Sequence, residues 1–172
     1  MQEERWSRLF APHLDAAWRL ARWLTGHAAE AEEVVQEACL RAWRAEQRVA
    51  PDDARAWLLA ITRNAAWSRV RATRRHSNVV PFDEVRRELA VPAQAEAQLD
   101  QAQRAALLHA AVAALPPIFR EVVVLRDIEE LSQAETAFVL GLPAGTVMSR
   151  LSRARARLRA ALSGQGLEAR DG

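Results

Sequence analysis

The sequence predicts an all-α protein made of two small helical domains joined by a linker. Three observations carry that reading. Strand signals are nearly absent: the β-branched runs Val122-Val123-Val124 and Val79-Val80 are too short and too isolated to build a sheet. Apolar and alanine positions recur at three- and four-residue steps over most of the chain, the period of an amphipathic helix. That periodicity breaks down from His76 to about Gln94, where Pro81 and Pro92 sit in mixed polar sequence of linker composition. At 172 residues, half of them apolar and 27% charged, the chain has the size and balance of one or two small globular domains. The expected layout is a first domain over 1–76, a linker over 77–94, a second domain over 95–163 and a tail over 164–172.

Helices of the first domain are expected at about 3–12, 14–25, 28–47 and 53–75, punctuated by Pro12, Gly26 and Pro51-Asp52-Asp53, with Asp52 or Asp53 as an N-cap. The third of these is acidic and two-faced. Ala31, Val34, Val35, Ala38, Ala42 and Trp43 form its buried side, while Glu33, Gln36, Glu37 and Leu40 share another stripe. An acidic, glutamine-bearing stripe suits docking to a basic partner helix, and equally a solvated face. The fourth helix directs Trp57, Leu58, Ile61 and Ala65 inward and then turns basic, with Arg63, Asn64, Arg69, Arg71, Arg74 and Arg75 around Trp67. Arginines interleaved with an aromatic ring suit phosphate contacts and stacking on an unpaired base. Partial burial of Trp67 against the first helices is the other reading. Trp6, Trp18, Trp23, Trp43 and Trp57 are assigned to the core, as is Cys39. In the linker, Val79, Val80 and Phe82 form an apolar trio able to dock.

The second domain is expected to hold helices at about 95–115, 117–129, 132–140 and 144–163. Ser132-Gln133-Ala134-Glu135 is a capping box, Gly141 a left-handed C-cap, and Pro143 a residue that ends one helix and begins the next. Val147, Leu151, Ala154, Leu158 and Leu162 form an apolar stripe on the last helix, and Arg150, Arg153 and Arg157 repeat on another face, flanked by Arg155 and Arg159. Two helices joined by so tight a turn make a helix-turn-helix, whose second helix enters the major groove of DNA.

Charge supports the same division. The formal net charge is only +2, yet four glutamates crowd residues 30–37, six arginines without an acid fill 54–82, and five more lie between Val147 and Leu162. Two basic surfaces and one acidic one point to two nucleic-acid contacts and a separate protein contact. Every basic residue is arginine, which suits phosphate and guanine contacts. No signal peptide and no apolar run near 18 residues is present, so a cytoplasmic location without membrane insertion is expected. The lone Cys39 excludes a disulfide framework, and no metal-ligand spacing, phosphate loop or nucleophile–base pair is found. No catalytic residue, cofactor or metal is expected.

Three stretches together resemble the extracytoplasmic-function (ECF) subfamily of bacterial RNA polymerase sigma factors, in the sigma-70 family. GHAAEAEEVVQEACLRAWRA, with Val35-Gln36-Glu37 and Arg41-Ala42-Trp43, is similar to the core-binding motif. ARAWLLAITRNAAWSRVRATRR, with Trp57-Leu58 and Arg63-Asn64, is similar to the promoter-melting helix. The stretch from Ala114 to Arg159 resembles the domain that reads the −35 element, through Leu115-Pro116, Arg120-Glu121, Gly145-Thr146-Val147, Ser149-Arg150-Leu151 and Arg153-Ala154-Arg155. The resemblance implies that Glu33, Gln36, Glu37 and Leu40 meet the clamp helices of the largest polymerase subunit. It implies that Arg63, Asn64, Trp67, Arg69, Arg71, Arg74 and Arg75 hold −10 DNA, with a flipped base captured by the loop Glu46–Asp53. On the last helix, Thr146, Met148, Ser149, Arg150, Ser152, Arg153 and Arg157 would bind the −35 element. Of these, Met148, Ser149, Ser152 and Arg153 would face base edges, and Arg150, with Arg155 and Arg157, phosphates. The implied partners are core RNA polymerase, including the flap of the second-largest subunit, promoter DNA and an anti-sigma factor, with the free protein a monomer and the linker near the RNA exit path.

Three departures from the family pattern stand out. Met148 replaces a frequent Lys or Arg, removing a cation from the recognition helix. Thr136 replaces an aliphatic residue, from which looser packing of the preceding helix is expected. Glu30, Glu32 and Glu33 stand where Asp is frequent at two positions. Two other functions fit parts of the sequence: a sigma mimic that only binds an anti-sigma factor, and a stand-alone helix-turn-helix regulator. The intact basic faces argue against the first, and the acidic clamp-like helix against the second.

Overall fold

The computed structural model describes residues 1–76 and 101–163, apart from the side chains of residues 74–76. The expected linker, the tail and the trio Val79, Val80 and Phe82 lie outside the described residues. Every regular element among the described residues is helical.

α1 spans Gln2–Phe10 and buries Leu9 and Phe10, with Glu3 and Glu4 in its first turn where the helix dipole favours anions. A 3-10 turn over Ala11–His13 leads into α2, Leu14–Thr25. Gly26, at φ 85, ends α2 in the left-handed conformation that glycine adopts without strain. α3 covers Ala28–Ala45 and buries Ala31, Val34, Ala38 and Ala42. Ala16, Ala17 and Ala21 of α2 are buried as well, and α2 packs against α3. α4 covers Ala54–His76, buries Leu58, Leu59, Ala65 and Ala66, and packs against both α2 and α3. Fully burying a leucine such as Leu58 contributes about 1.5–3 kcal/mol.

Two sequence expectations change here. α3 stops at Ala45 rather than 47, because the chain tightens into a 3-10 turn over Glu46–Arg48. Trp43 and Trp18, assigned to the core, are each more than a third exposed, and Val35 and Cys39 are only partly buried. Trp18 and Trp43 each follow a fully buried alanine, Ala17 and Ala42, and so lie one helical position away from the packed face. Trp43 instead lies across Trp6, with ring centroids 6.3 Å apart.

The C-terminal helices are α5, Gln101–Ala114, α6, Pro117–Val123, α7, Gln133–Leu140, and α8, Ala144–Ser163. The residues before Gln101 that were expected to begin α5 lie outside the described part. After Val123 the expected regular helix widens into a π turn over Val124–Ile128. There Glu129 N–H donates to Val124 O at 2.8 Å and Leu131 N–H to Leu125 O at 2.9 Å, rings wider than those of an α-helix. Phe119 through Leu125 are all buried, so this segment is surrounded by protein on every side. Glu130 follows in the left-handed region at φ 54.

The capping box forms as the spacing predicts: Ser132 Oγ accepts from Glu135 N–H at 3.1 Å, and Ser132 N–H donates to Glu135 Oε2 at 2.7 Å. Thr136 does not loosen α7. It is fully buried, and its hydroxyl donates to Ser132 O at 2.8 Å, so the polar atom is satisfied by the backbone of its own helix. Gly141, at φ 63, closes α7, and Val147, Leu151 and Ala154 seat α8 on α6 and α7.

The two sets of helices dock on each other: α7 lies against α4, and α6 against α2. That docking has no counterpart in the sequence reading.

Candidate nucleic-acid interface

The acidic stripe of α3 is built as its spacing requires. Glu33, Gln36, Glu37 and Leu40 are all exposed, and Leu40 is 60% accessible. Glu37 pairs with Arg41 one turn on, and Glu33 pairs with Arg69 of α4. The stripe is therefore an amphiphilic ridge whose one large apolar side chain is held out in water among carboxylates.

The basic half of α4 is less available than its composition implied. Arg63 Nε and Nη2 donate to the two carboxylate oxygens of Glu121, in α6, at 2.9 and 3.1 Å. Trp67 Nε1–H donates to Glu121 Oε2 at 2.9 Å. Trp67 is thus half-buried by a polar contact with the C-terminal helices. Arg69 is committed to Glu33, whereas Asn64 and Arg71 are exposed. The side chains of Arg74 and Arg75 lie outside the described residues. A groove of about 470 Å³ follows this seam, lined by Asn64, Trp67 and Arg71 from α4 and by Pro117, Ile118 and Glu121 from α6. Ahead of α4, the loop 46–53 is braced from α1: Arg5 meets the buried Glu46 carboxylate at 2.9 Å and donates to Glu46 O and Val49 O, each at 3.4 Å.

On α8, the exposed face carries Met148, Ser149, Ser152 and Arg153. Met148 is 42% accessible, a thioether in water where a lysine or arginine was expected. Ser149 Oγ donates to Thr146 O at 3.0 Å, and Thr146 is half-buried in the first turn. Three other arginines of this helix, Arg150, Arg155 and Arg157, have an internal partner. Arg150 lies 3.7 Å from Glu121, Arg155 Nε donates to Asp127 at 3.1 Å, and the Arg157 guanidinium sits 4.9 Å over the Phe119 ring. The bond to Asp127 raises the Arg155 pKa. The three arginines predicted for phosphates thus each contact a neighbour in the same domain.

Sequence reasoning missed four residues. Glu121 appeared only as part of a motif, and Glu129, Arg19 and Arg55 had no role. Arg19 donates to Glu129 through Nε at 2.7 Å and Nη2 at 2.8 Å, a bidentate pair that raises the Arg19 pKa. Arg55 reaches the same carboxylate at 3.7 Å and also donates to Glu129 O. The one available signal was a carboxylate set within or beside an otherwise apolar run, as Glu121 is among Phe119, Val122 and Val123. Nearby, Trp23 stacks on His109 at 4.4 Å, and burial and then Arg22 lower the His109 pKa.

Comparison with known proteins follows the same two-part division. The sigma-70 region 2 family model matches residues 9–76, and the sigma-70 region 4 model matches residues 105–158. The ECF RNA polymerase sigma factor SigE of Mycolicibacterium smegmatis is 39% identical over 158 residues, covering 90% of this chain and 60% of that protein. The chain thus spans less than two thirds of SigE. ECF RNA polymerase sigma factor SigL of Mycobacterium tuberculosis is 36% identical over 162 residues, covering 92% of this chain and 89% of SigL. Two solved structures share the fold. CnrH in complex with the cytosolic domain of CnrY superposes with a TM-score of 0.66 at 29% identity, covering 92% of this chain and 88% of that one. The sigma factor RpoE in complex with the anti-sigma factor NepR from Bartonella quintana gives 0.67 at 27%, covering 89% and 93%.

Proposed function

From the premise that this chain belongs to the sigma-70 family, among its ECF members, we propose that it is an alternative sigma factor. It binds core RNA polymerase and directs initiation at promoters with a particular −35 and −10 sequence. The observation that carries the reading is the outward face of α8: Met148, Ser149, Ser152 and Arg153 stand exposed on a helix seated by a capped helix-turn-helix. Such a helix enters the major groove N-terminus first. There Arg153 has the fork geometry for guanine O6 and N7, the two serines reach either base type, and the Met148 side chain offers an apolar contact to a thymine methyl. Arg150, Arg155 and Arg157 lie beside the groove walls, where their charge favours phosphates.

The N-terminal helices supply the other contacts. The α3 ridge of Glu33, Gln36, Glu37 and Leu40 docks on the clamp helices of the largest polymerase subunit, and the flap of the second-largest subunit takes the C-terminal helices. Arg63, Asn64, Trp67 and Arg71, with Arg69, Arg74 and Arg75, follow the −10 DNA strand, and the braced loop 46–53 receives a flipped base. By this reading residues 77–94 link the domains and 95–163 form the second. No bond is made or broken by the chain; its work is positioning. The complex of the similar sigma factor RpoE with the anti-sigma factor NepR supports the same kind of regulator here.

Arg153→Ala tests the carrying observation. With reconstituted holoenzyme, the variant loses about 1–3 kcal/mol of −35 discrimination and relaxes the preference at one base position. Unchanged start-site selection across a library of −35 sequences would refute the assignment.

A further inference from the structure

The loop 46–53 closes α3 and opens α4, and its own backbone bonds are local. Val49 N–H donates to Glu46 O at 3.5 Å and Asp53 N–H to Ala50 O at 3.1 Å, each bond spanning three residues. The ties that fix it to the domain come from α1, 41 and 44 residues earlier in the chain. Arg5 Nε lies 2.9 Å from the Glu46 carboxylate, and Arg5 Nη2 donates to Glu46 O and Val49 O, each at 3.4 Å. Beside it, Trp6 rests on Trp43 at the end of α3, with ring centroids 6.3 Å apart, and Gln2 Nε2 donates to Trp43 O at 3.3 Å. Phe10 rests on Trp57 in the first turn of α4, at 5.7 Å. α1 thus holds both ends of the loop by aromatic contacts and its middle by one guanidinium.

The loop's side chains divide by exposure. Glu46 and Val49, whose carbonyls Arg5 takes, are buried, while Gln47, Arg48, Asp52 and Asp53 stand in solvent. The exposed four carry the amide, guanidinium and carboxylates that can read a base edge. The Glu46 carboxylate is 2% accessible, so where it lies it needs a cation. Without Arg5, Glu46 turns out to water, and the turn over Glu46–Arg48 that displays Gln47 and Arg48 moves with it.

We propose that Arg5 is a positioning residue for base selection in the −10 element. It holds the loop 46–53 in the one conformation that displays its polar side chains to the flipped base. The proposal rests on the role given to that loop under the proposed function, and goes beyond it by assigning the selectivity to a residue of α1. A loop held before DNA arrives has less freedom to lose on binding. It also cannot rearrange to satisfy a wrong base, whose unmatched polar groups then stay unpaired. Arg5 acts through the loop, and its fork is what the task requires. A lysine brings a single point charge that neutralises Glu46 but does not span the carboxylate and two carbonyls together.

The test compares the full wild-type chain with Arg5→Gln, Arg5→Lys and Arg5→Gln/Glu46→Gln, each assembled into holoenzyme. Binding is measured to forked promoter DNA carrying each of the four bases, or an abasic site, in turn at every −10 position. The readout is the ratio of affinities between the preferred base and the abasic site, which does not depend on the fraction of folded protein. Arg5→Gln lowers that ratio on the order of tenfold, as loss of hydrogen bonds to a buried charge implies. Its affinity for the abasic fork and for −35 duplex stays unchanged, and amide hydrogen exchange over residues 46–53 of the free chain speeds up. Arg5→Lys falls between wild type and Arg5→Gln. The double variant leaves no buried lone charge and regains the melting temperature, but not the discrimination. Weaker binding to every fork alike, with the ratio preserved, makes Arg5 merely structural and overturns the proposal. So does full recovery of discrimination in the double variant, or unchanged exchange in Arg5→Gln. A wild type that binds every base and the abasic site alike overturns the role of the loop itself, while exchange still reports whether Arg5 holds it.

Discussion

Replacing Arg63 and Glu121 singly and together isolates one buried contact across the seam. Arg63→Met keeps the aliphatic stem and removes the fork; Glu121→Gln keeps the shape and one acceptor oxygen and removes the charge. An exposed ion pair is worth about 0.2–1 kcal/mol, and breaking a buried one costs about 3–5 kcal/mol. This pair lies between those limits. Its carboxylate is 1% accessible, which favours the larger figure, but Arg63 is 22% accessible and can turn to water once released. Trp67 and Arg150 continue to serve the carboxylate after Arg63 is gone, which lowers the cost further. Two charge-assisted bonds of 2.9 and 3.1 Å then give a coupling energy of about 1.5–3 kcal/mol. Urea unfolding of the wild type, both single variants and the double, followed by circular dichroism, measures it directly. A coupling below about 0.5 kcal/mol is within the additivity expected of independent sites and would refute the view that the fork spans the two halves.

Three further predictions concern the helix-turn-helix. Ser132→Ala removes the cap and destabilises the protein by about 1 kcal/mol in thermal unfolding. The cap is also pH-dependent: the Ser132 backbone N–H, then its hydroxyl, hold the Glu135 carboxyl below its ordinary value of 4.5. A lowered folded value gives stability that is complete above the unfolded value and lost as pH falls through the folded one. Glu135→Gln therefore flattens the melting-temperature profile below pH 4.5 and leaves its slope at neutral pH alone. The glycines differ in sign. Gly141→Ala costs about 1–2 kcal/mol, because φ 63 is left-handed although no atom lies within 4 Å of the added methyl. Gly145→Ala, in helical backbone with equally open space, stabilises by about 0.5–1 kcal/mol. Equal effects at the two positions, read as melting temperatures, would contradict the conformational explanation.

The local devices of this chain were legible residue by residue. Ser132, Glu135, Gly141 and Pro143 act within one turn of backbone, and the apolar stripe of Val147, Leu151 and Ala154 repeats along a single helix. Such signals need no knowledge of the rest of the fold. The exposure of Glu33, Gln36, Glu37 and Leu40 opposite Ala31, Val34 and Ala38 follows from the same period. The π turn after Val123 was not legible. A run of seven buried residues suits a regular helix equally well, and no residue in it signals the wider ring. Trp18 and Trp43 were misassigned for a related reason: hydrophobicity says that an indole prefers burial, but the docking of the helices decides which faces are covered.

What the sequence determined by itself was the set of elements, their caps and the faces they present, because each is settled by residues three or four positions apart. Only the tertiary structure decided which of those faces are available. Arg63 and Trp67 read as donors for DNA, and in the folded chain they serve Glu121, 58 and 54 residues away. Arg19 read as one surface charge among many, and it pairs with Glu129 across 110 residues. A carboxylate chooses its partners where packing removes water from it, and that place is set by how the helices dock.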